Sequence, residues 1–282
     1  MALIGKFNSM EVVSSTDFGV YLDGENLGTI LLPTKQCPDN VQIGDVINAF
    51  IYRDSEDRLI ATGVKPKAEV GQCAALEVKQ ITPFGAFLDW GLPKDVLVPF
   101  NEQRKPMEPG QTHVVYLFVD ERTERIAASA KLNNFLPEET DIYRVNDHVN
   151  LLIAGRTDLG YRAVVNQHCL GMVFNEDVLQ PLVIGQQLTG YIKAVRDDHK
   201  IDLMLQLQGH EARVDIADRI LEALVANSGV LEVSDRSSPE MIYKVFQVSK
   251  GNFKKAIGRL LKQAKIRQES DRILLNSDQS EQ

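Results

Sequence analysis

The chain has 282 residues, with 31 Lys and Arg against 39 Asp and Glu for a formal net charge of -8, and it is 44% hydrophobic and 25% charged. A balance this acidic argues against a protein that coats nucleic acid through charge alone, because such proteins are normally basic. No stretch reaches the ~18 uninterrupted apolar residues of a membrane helix, and the opening MALIGKFNSM has no apolar signal segment, so a cytoplasmic protein without membrane contact is expected. Cys37, Cys73 and Cys169 are odd in number and far apart, which fits neither a disulfide framework nor a paired-thiol metal site.

Laid against itself, the chain repeats. DFGVYLD (Asp17 to Asp23) matches PFGAFLD (Pro83 to Asp89), and Leu32-Pro33 and Gly44 recur as Val98-Pro99 and Gly110, all at a separation of 66. A weaker third copy places Leu159-Gly160 and Gly185 each 75 residues beyond their counterparts. The nine additional residues fall between the copies, around LPEETD (Leu136 to Asp141), which reads as a linker.

Each copy is a series of short alternating runs, such as Val12 to Leu22, Val46 to Tyr52, Ala74 to Val78 and Val114 to Val119, separated by Gly, Pro and acidic residues. Alternation punctuated every 8 to 12 residues or so predicts small all-β units. In so small a unit, a partly open five-stranded barrel disposes of the unpaired edges. Phe84 and Phe87 are three apart, so a regular strand would send them to opposite faces, and a bulge at Gly85 is expected to bring both rings together. Buried core positions are the ordinary alternative for two strand phenylalanines.

The second copy, GQCAALEVKQITPFGAFLDWG through VLVPFNE and PGQ to FVDERTERIAASAK, resembles the RNA-binding barrel of ribosomal protein S-one over nearly all of residues 69 to 131. The resemblance implies stacking by Phe84 and Phe87, with Asp120, Arg125 and Lys131 across the same surface. Pro99 stands where that family commonly has a His, and Pro33 and Val173 are read as its equivalents in the other copies. The first copy keeps Phe18, Tyr21 and Arg58, while the third offers only Leu159, Arg162 and Lys200, so its barrel is expected to serve as a spacer.

Beyond Gln208-Gly209 the apolar period becomes helical. Ile216, Ile220, Leu221, Leu224 and Val225 form a stripe ended by Asn227-Ser228-Gly229, and VLEV follows as an extended run. Ser238-Pro239 starts a second helix with Ile242, Val245 and Phe246 inward, and Ser249 caps a third built on Phe253, Ala256, Ile257, Leu260 and Leu261. Lys255, Arg259 and Lys262 share that helix's predicted outer face. Ile273 to Leu275 closes a hairpin with Lys265 to Arg267. Residues 250 to 267 hold seven basic residues, among them Lys254, Lys265 and Arg267, and no acid. Three helices and a hairpin resemble a winged helix, and three such barrels followed by one resemble the bacterial conserved virulence factor B family along the whole chain.

The expected organisation is therefore a first oligonucleotide-binding-type (OB) barrel over 1–67, a second over 68–134, a linker and degenerate third over 135–209, and a winged helix over 210–282. That family implies a non-catalytic regulator of gene expression that binds single-stranded RNA, with no cofactor and no small-molecule substrate. No phosphate-cradling loop or zinc-protease helix contradicts it, and adjacent His168 and Cys169 would point to opposite faces of a strand. Duplex DNA read by the winged helix through Lys255, Arg259 and Lys262, or a protein partner such as the ribosome or polymerase, stays open as the alternative. The same lysines could equally form a solvated face.

Overall fold

The computed structural model describes residues 1–136, 142–178, 180–206, 209–246 and 248–276, with 209–215 as backbone only. Residues 137–141, which hold most of the expected linker, lie outside the described residues.

Three closed barrels follow one another. The first is made of β1 (Phe7–Thr16), β2 (Gly19–Asp23), β3 (Thr29–Pro33), β4 (Val46–Arg53) and β5 (Leu59–Thr62), in the spatial order β1-β2-β3-β5-β4. The second repeats the arrangement with β6 (Cys73–Thr82), β7 (Gly85–Asp89), β8 (Val96–Pro99), β9 (Thr112–Asp120) and β10 (Arg125–Ser129). The third uses β11 (His148–Arg156), β12 (Gly160–Val165), β13 (Cys169–Phe174), β14 (Gln187–Val195) and β15 (Ile201–Met204). Each ring is completed by a parallel pairing, as between Ala127 and Leu97, so the barrels are closed where partly open ones were expected. Closure removes free edges, which a five-stranded sheet this small could not otherwise protect.

One face of each strand fills its barrel. Leu76, Leu88, Val98, Leu117 and Ala128 are fully buried in the second, and Ile153, Ala163, Val173 and Leu203 in the third. The first two barrels also share a core. Trp90, only 3% exposed, meets Phe50 at 5.8 Å and Tyr52 at 6.4 Å between ring centroids, both edge-on, and donates its Nε1 hydrogen to the Lys94 carbonyl. Edge-to-face contacts of this kind add ~0.5–1.5 kcal/mol beyond area burial. Between the second and third barrels, the Gln167 side chain imitates a strand: its Oε1 accepts from the Cys73 amide at 2.7 Å and its Nε2 donates to the Cys73 carbonyl at 3.0 Å.

The last module comprises α1 (Gly209–Ala226), β16 (Val230–Leu231), α2 (Pro239–Phe246), α3 (Lys250–Lys262), β17 (Ile266–Glu269) and β18 (Arg272–Leu275), with sheet order β16-β18-β17. Ile220, Leu224, Ile242, Phe246, Phe253 and Ile257 form its core. Gly229, at φ +82°, closes α1 by donating to the Leu224 carbonyl at 2.7 Å. Val225 and Val245, both assigned inward from sequence, are exposed because they fall to the side of the buried stripes.

Candidate nucleic-acid interface

Phe84 lies in the turn just ahead of β7 and is 73% exposed, while Phe87 is half-buried within that strand. Both rings line one groove of about 540 Å³ that also takes in Tyr52, Trp90, Lys94, Arg122 and Arg125. The expected bulge is not at Gly85. It sits in the partner strand β6, between Val78 and Gln80, and the same irregularity recurs between Val12 and Ser14 and between Ile153 and Gly155. The rings share a side because Phe84 precedes the strand. Gly85 is required for another reason: at φ +147° a Cβ there would stand 2.2 Å from the Val98 carbonyl oxygen, so only glycine lets β7 cross β8 this closely.

Three of the four cations lining this groove, Arg53, Lys94 and Arg125, are already engaged, and Arg122 has no ion pair among the described residues. Arg125 donates from Nε and Nη2 to the two carboxylate oxygens of Asp57, each at 3.0 Å. Asp57 belongs to the β4–β5 turn of the first barrel, so a carboxylate occupies the fork that sequence reasoning assigned to phosphate. The hydrogen bonds from Arg125 hold the Asp57 carboxyl below its ordinary 3.8 and raise the guanidinium. Lys94 donates to the Asp54 carbonyl at 2.6 Å, and Arg53 donates from Nη2 to Glu124 at 3.3 Å. The turn of barrel one is thereby fixed against the groove of barrel two.

Of the other expected site residues, Asp120 lines this groove with the two rings, whereas Lys131 does not. Asp120 Oδ1 accepts from the Thr123 amide at 2.8 Å, the Thr123 hydroxyl at 3.0 Å and the Arg122 amide at 3.1 Å, and these bonds, led by the Thr123 amide, depress its carboxyl. It shapes the β9–β10 turn. Lys131 follows β10, its amide donating to Ser129 Oγ, and it is not among the residues lining the groove. On barrel one, Phe18 is 80% exposed and Tyr21 half-buried, matching the second barrel's pair, but Arg58 donates from Nε and Nη2 to Asp54 and pairs with Glu56 at 2.8 Å.

In the third barrel Leu159 is exposed, Arg162 donates to the Asn133 amide oxygen at 2.6 Å, and Lys200 pairs with Asp198. The strand register corrects the sequence alignment. Gly19 opposes Pro33, Gly85 opposes Pro99 and Gly160 opposes Phe174, so Phe174 holds the position assigned to Val173, which is buried in the core. The offset of 75 from Pro99 would have found it. Arg196 lies over the Phe174 ring at 5.5 Å and pairs with Asp202 at 2.9 Å.

In the winged helix, Ser249 Oγ accepts from the Asn252 amide at 3.3 Å, the expected cap of α3. Lys254, Lys255 and Lys262 are exposed on that helix, and Lys265 and Arg267 on the wing. Lys254 reaches toward Asp235 at 4.0 Å, and Arg267 toward Glu269 at 3.8 Å. Arg259 departs from the predicted outer face: it is half-buried, and its Nη1 is buried with no hydrogen-bond partner among the described residues.

Comparison with known proteins agrees with this architecture. The S1 domain matches residues 4–63 and 70–130, and the CvfB-like winged helix domain matches residues 218–275. Conserved virulence factor B of Staphylococcus aureus is 28% identical over 97% of this chain and 94% of its own length. In the order of its matched domains and along its length the chain is similar to the conserved virulence factor B family. Another relative, the uncharacterized protein YitL of Bacillus subtilis, is 29% identical over 94% of this chain and 91% of its own. A crystal structure of a multidomain protein with nucleic acid binding domains from Streptococcus pneumoniae aligns over 97% of this chain and 98% of that one, with 24% identity and a TM-score of 0.43. The matched S1 and winged helix domains of this conserved virulence factor B relative are of nucleic-acid-binding types, not catalytic ones.

Proposed function

We propose that the protein is a cytoplasmic, non-catalytic regulator that captures single-stranded RNA on its second barrel and acts on gene expression after transcription. The observation that carries this reading is the pair Phe84 and Phe87, one ring exposed and one half-buried, on a common groove of an S1 domain. An aromatic ring left 73% exposed beside a second one contributes little to folding, and it offers bases two stacking surfaces. Stacking contributes ~1–3 kcal/mol per base whatever the protein's net charge, which reconciles RNA binding with a chain of net charge -8. Arg122, exposed and without an ion pair among the described residues, takes phosphate beside the rings, and Arg125 joins it when Asp57 releases its fork. Phe18 and Tyr21 extend the track onto barrel one.

Competition between single-stranded RNA and duplex DNA of equal length, at one stated salt concentration, tests the reading. RNA is expected to displace a labelled oligoribonucleotide while the duplex does not. Preferential displacement by the duplex would transfer the binding role to the winged helix, where Lys255 and Lys262 are exposed.

A further inference from the structure

On most of this surface cations are paired. Arg53, Arg58, Arg125, Lys193, Arg196 and Lys200 each have a carboxylate oxygen within 4.0 Å. The cleft between the second and third barrels is different. Arg104 and Lys105, from the β8–β9 loop, meet Arg156 at the end of β11 and Arg162 in β12 around a cavity of about 280 Å³. No carboxylate lines it, and none of these four residues has an ion pair among the described residues. Among the described residues the Arg162 side chain bonds to a neutral amide, Asn133, and Arg156 lies over the Tyr161 ring at 5.7 Å. His113, also in the lining, is held by burial toward its neutral form.

We propose that this cleft is a second binding site, specific for the phosphate backbone of a single strand, and that it holds the strand after it leaves the aromatic groove. The proposal rests on the RNA-binding reading of that groove and adds a site to it. Two observations favour a strand over a small anion. The cations come from two barrels rather than converging from one loop, as suits several spaced charges. In addition, β10 joins the sites: Arg125, Ile126 and Ala127 line the groove, and Ala130, just past the strand's end, lines the cleft. Five residues of extended chain span about 17 Å, so a strand running along β10 passes from one site to the other. The third barrel then has a role beyond spacing, supplied at its edge through Arg156 and Arg162 and not by its own paired surface around Phe174.

The test uses the full chain carrying Arg104→Gln, Lys105→Gln and Arg156→Gln, three exposed positions whose loss of charge removes no described ion pair. Binding of oligouridylates of about 5 and about 20 nucleotides is titrated against salt, the shorter one fitting within a single OB-type face. The salt slope for the longer strand is expected to fall by about 2 units, at ~0.7 per lost contact, with the shorter strand unaffected. An unchanged slope for the longer strand would overturn the cleft, and so would an equal fall for both lengths, which marks a diffuse charge effect. A parallel Phe84→Ala/Phe87→Ala protein separates the two ideas. If it binds weakly while the triple variant is normal, only the cleft fails; if it too is normal, the RNA-binding reading fails.

Discussion

Asp57 is the residue whose removal is most informative. Its bidentate bond to Arg125 is an exposed ion pair, weakened by solvent screening but favoured by its forked geometry. Strand capture through Arg125 has to break it, so Asp57→Asn is expected to raise RNA affinity about two- to fivefold, measured by fluorescence anisotropy of a labelled oligonucleotide. The pH dependence has a definite sign. Asp57 is depressed below 3.8 in the folded protein, so the pair's contribution is fully present above the ordinary carboxylate value and is lost as pH falls through the lowered one. The gain from Asp57→Asn is therefore expected to be constant between about pH 6 and 8, and a gain confined to one end of that range would contradict the account. The local Phe-Gly-x-Phe motif and its resemblance to the S-one barrel pointed to Phe84 and Phe87 on one groove, although strand spacing alone sends them to opposite faces and the bulge invoked at Gly85 lies in β6. The motif could not reveal that Asp57 fills the fork of Arg125, because those residues are 68 apart and belong to different barrels.

Each barrel bends at the same glycine. Gly19, Gly85 and Gly160 all have positive φ, and a Cβ on any of them would stand 2.1–2.2 Å from the facing carbonyl oxygen of β3, β8 or β13. Repetition of the motif at fixed offsets made this element visible in the sequence, whereas the bulge in the partner strand left no residue signature and was misplaced. Gly85→Ala is expected to destabilise the protein by more than ~1 kcal/mol, since both backbone strain and a backbone clash oppose it. Gly110→Ala, at φ +81° with open space around it, is expected to be milder, and denaturant melts of the two variants check the order. On α3 the helical period located the cap and the core positions Phe253, Ala256, Ile257 and Leu260, but Leu261, expected inward, is exposed, and a helical wheel cannot distinguish an exposed arginine from one folded against its neighbours, as Arg259 is. The charge that can reach nucleic acid therefore resides in Lys255, Lys262 and Lys265, all exposed and without ion pairs among the described residues. Changing the three to Gln is expected to flatten the salt slope of RNA binding by about 2 units if the winged helix touches the strand, and to leave it unaltered if that face serves a protein partner.

At the scale of the whole molecule, the order of modules was legible because repeats and changes of period survive without any knowledge of packing. How the modules meet was not. Trp90, the residue after GAFLD, is a buried wedge shared with Phe50 and Tyr52 of barrel one, and this contact carries the Asp57 turn to the groove. The composite groove is thus a property of two barrels joined, and the second barrel's rings are its centre. Equilibrium binding of an oligoribonucleotide to the full chain, compared with Phe84→Ala/Phe87→Ala at one stated salt, tests this most directly. Loss of about 2 to 4 kcal/mol of binding free energy with unchanged circular dichroism is the predicted result. Unaltered affinity in the folded double variant would contradict it.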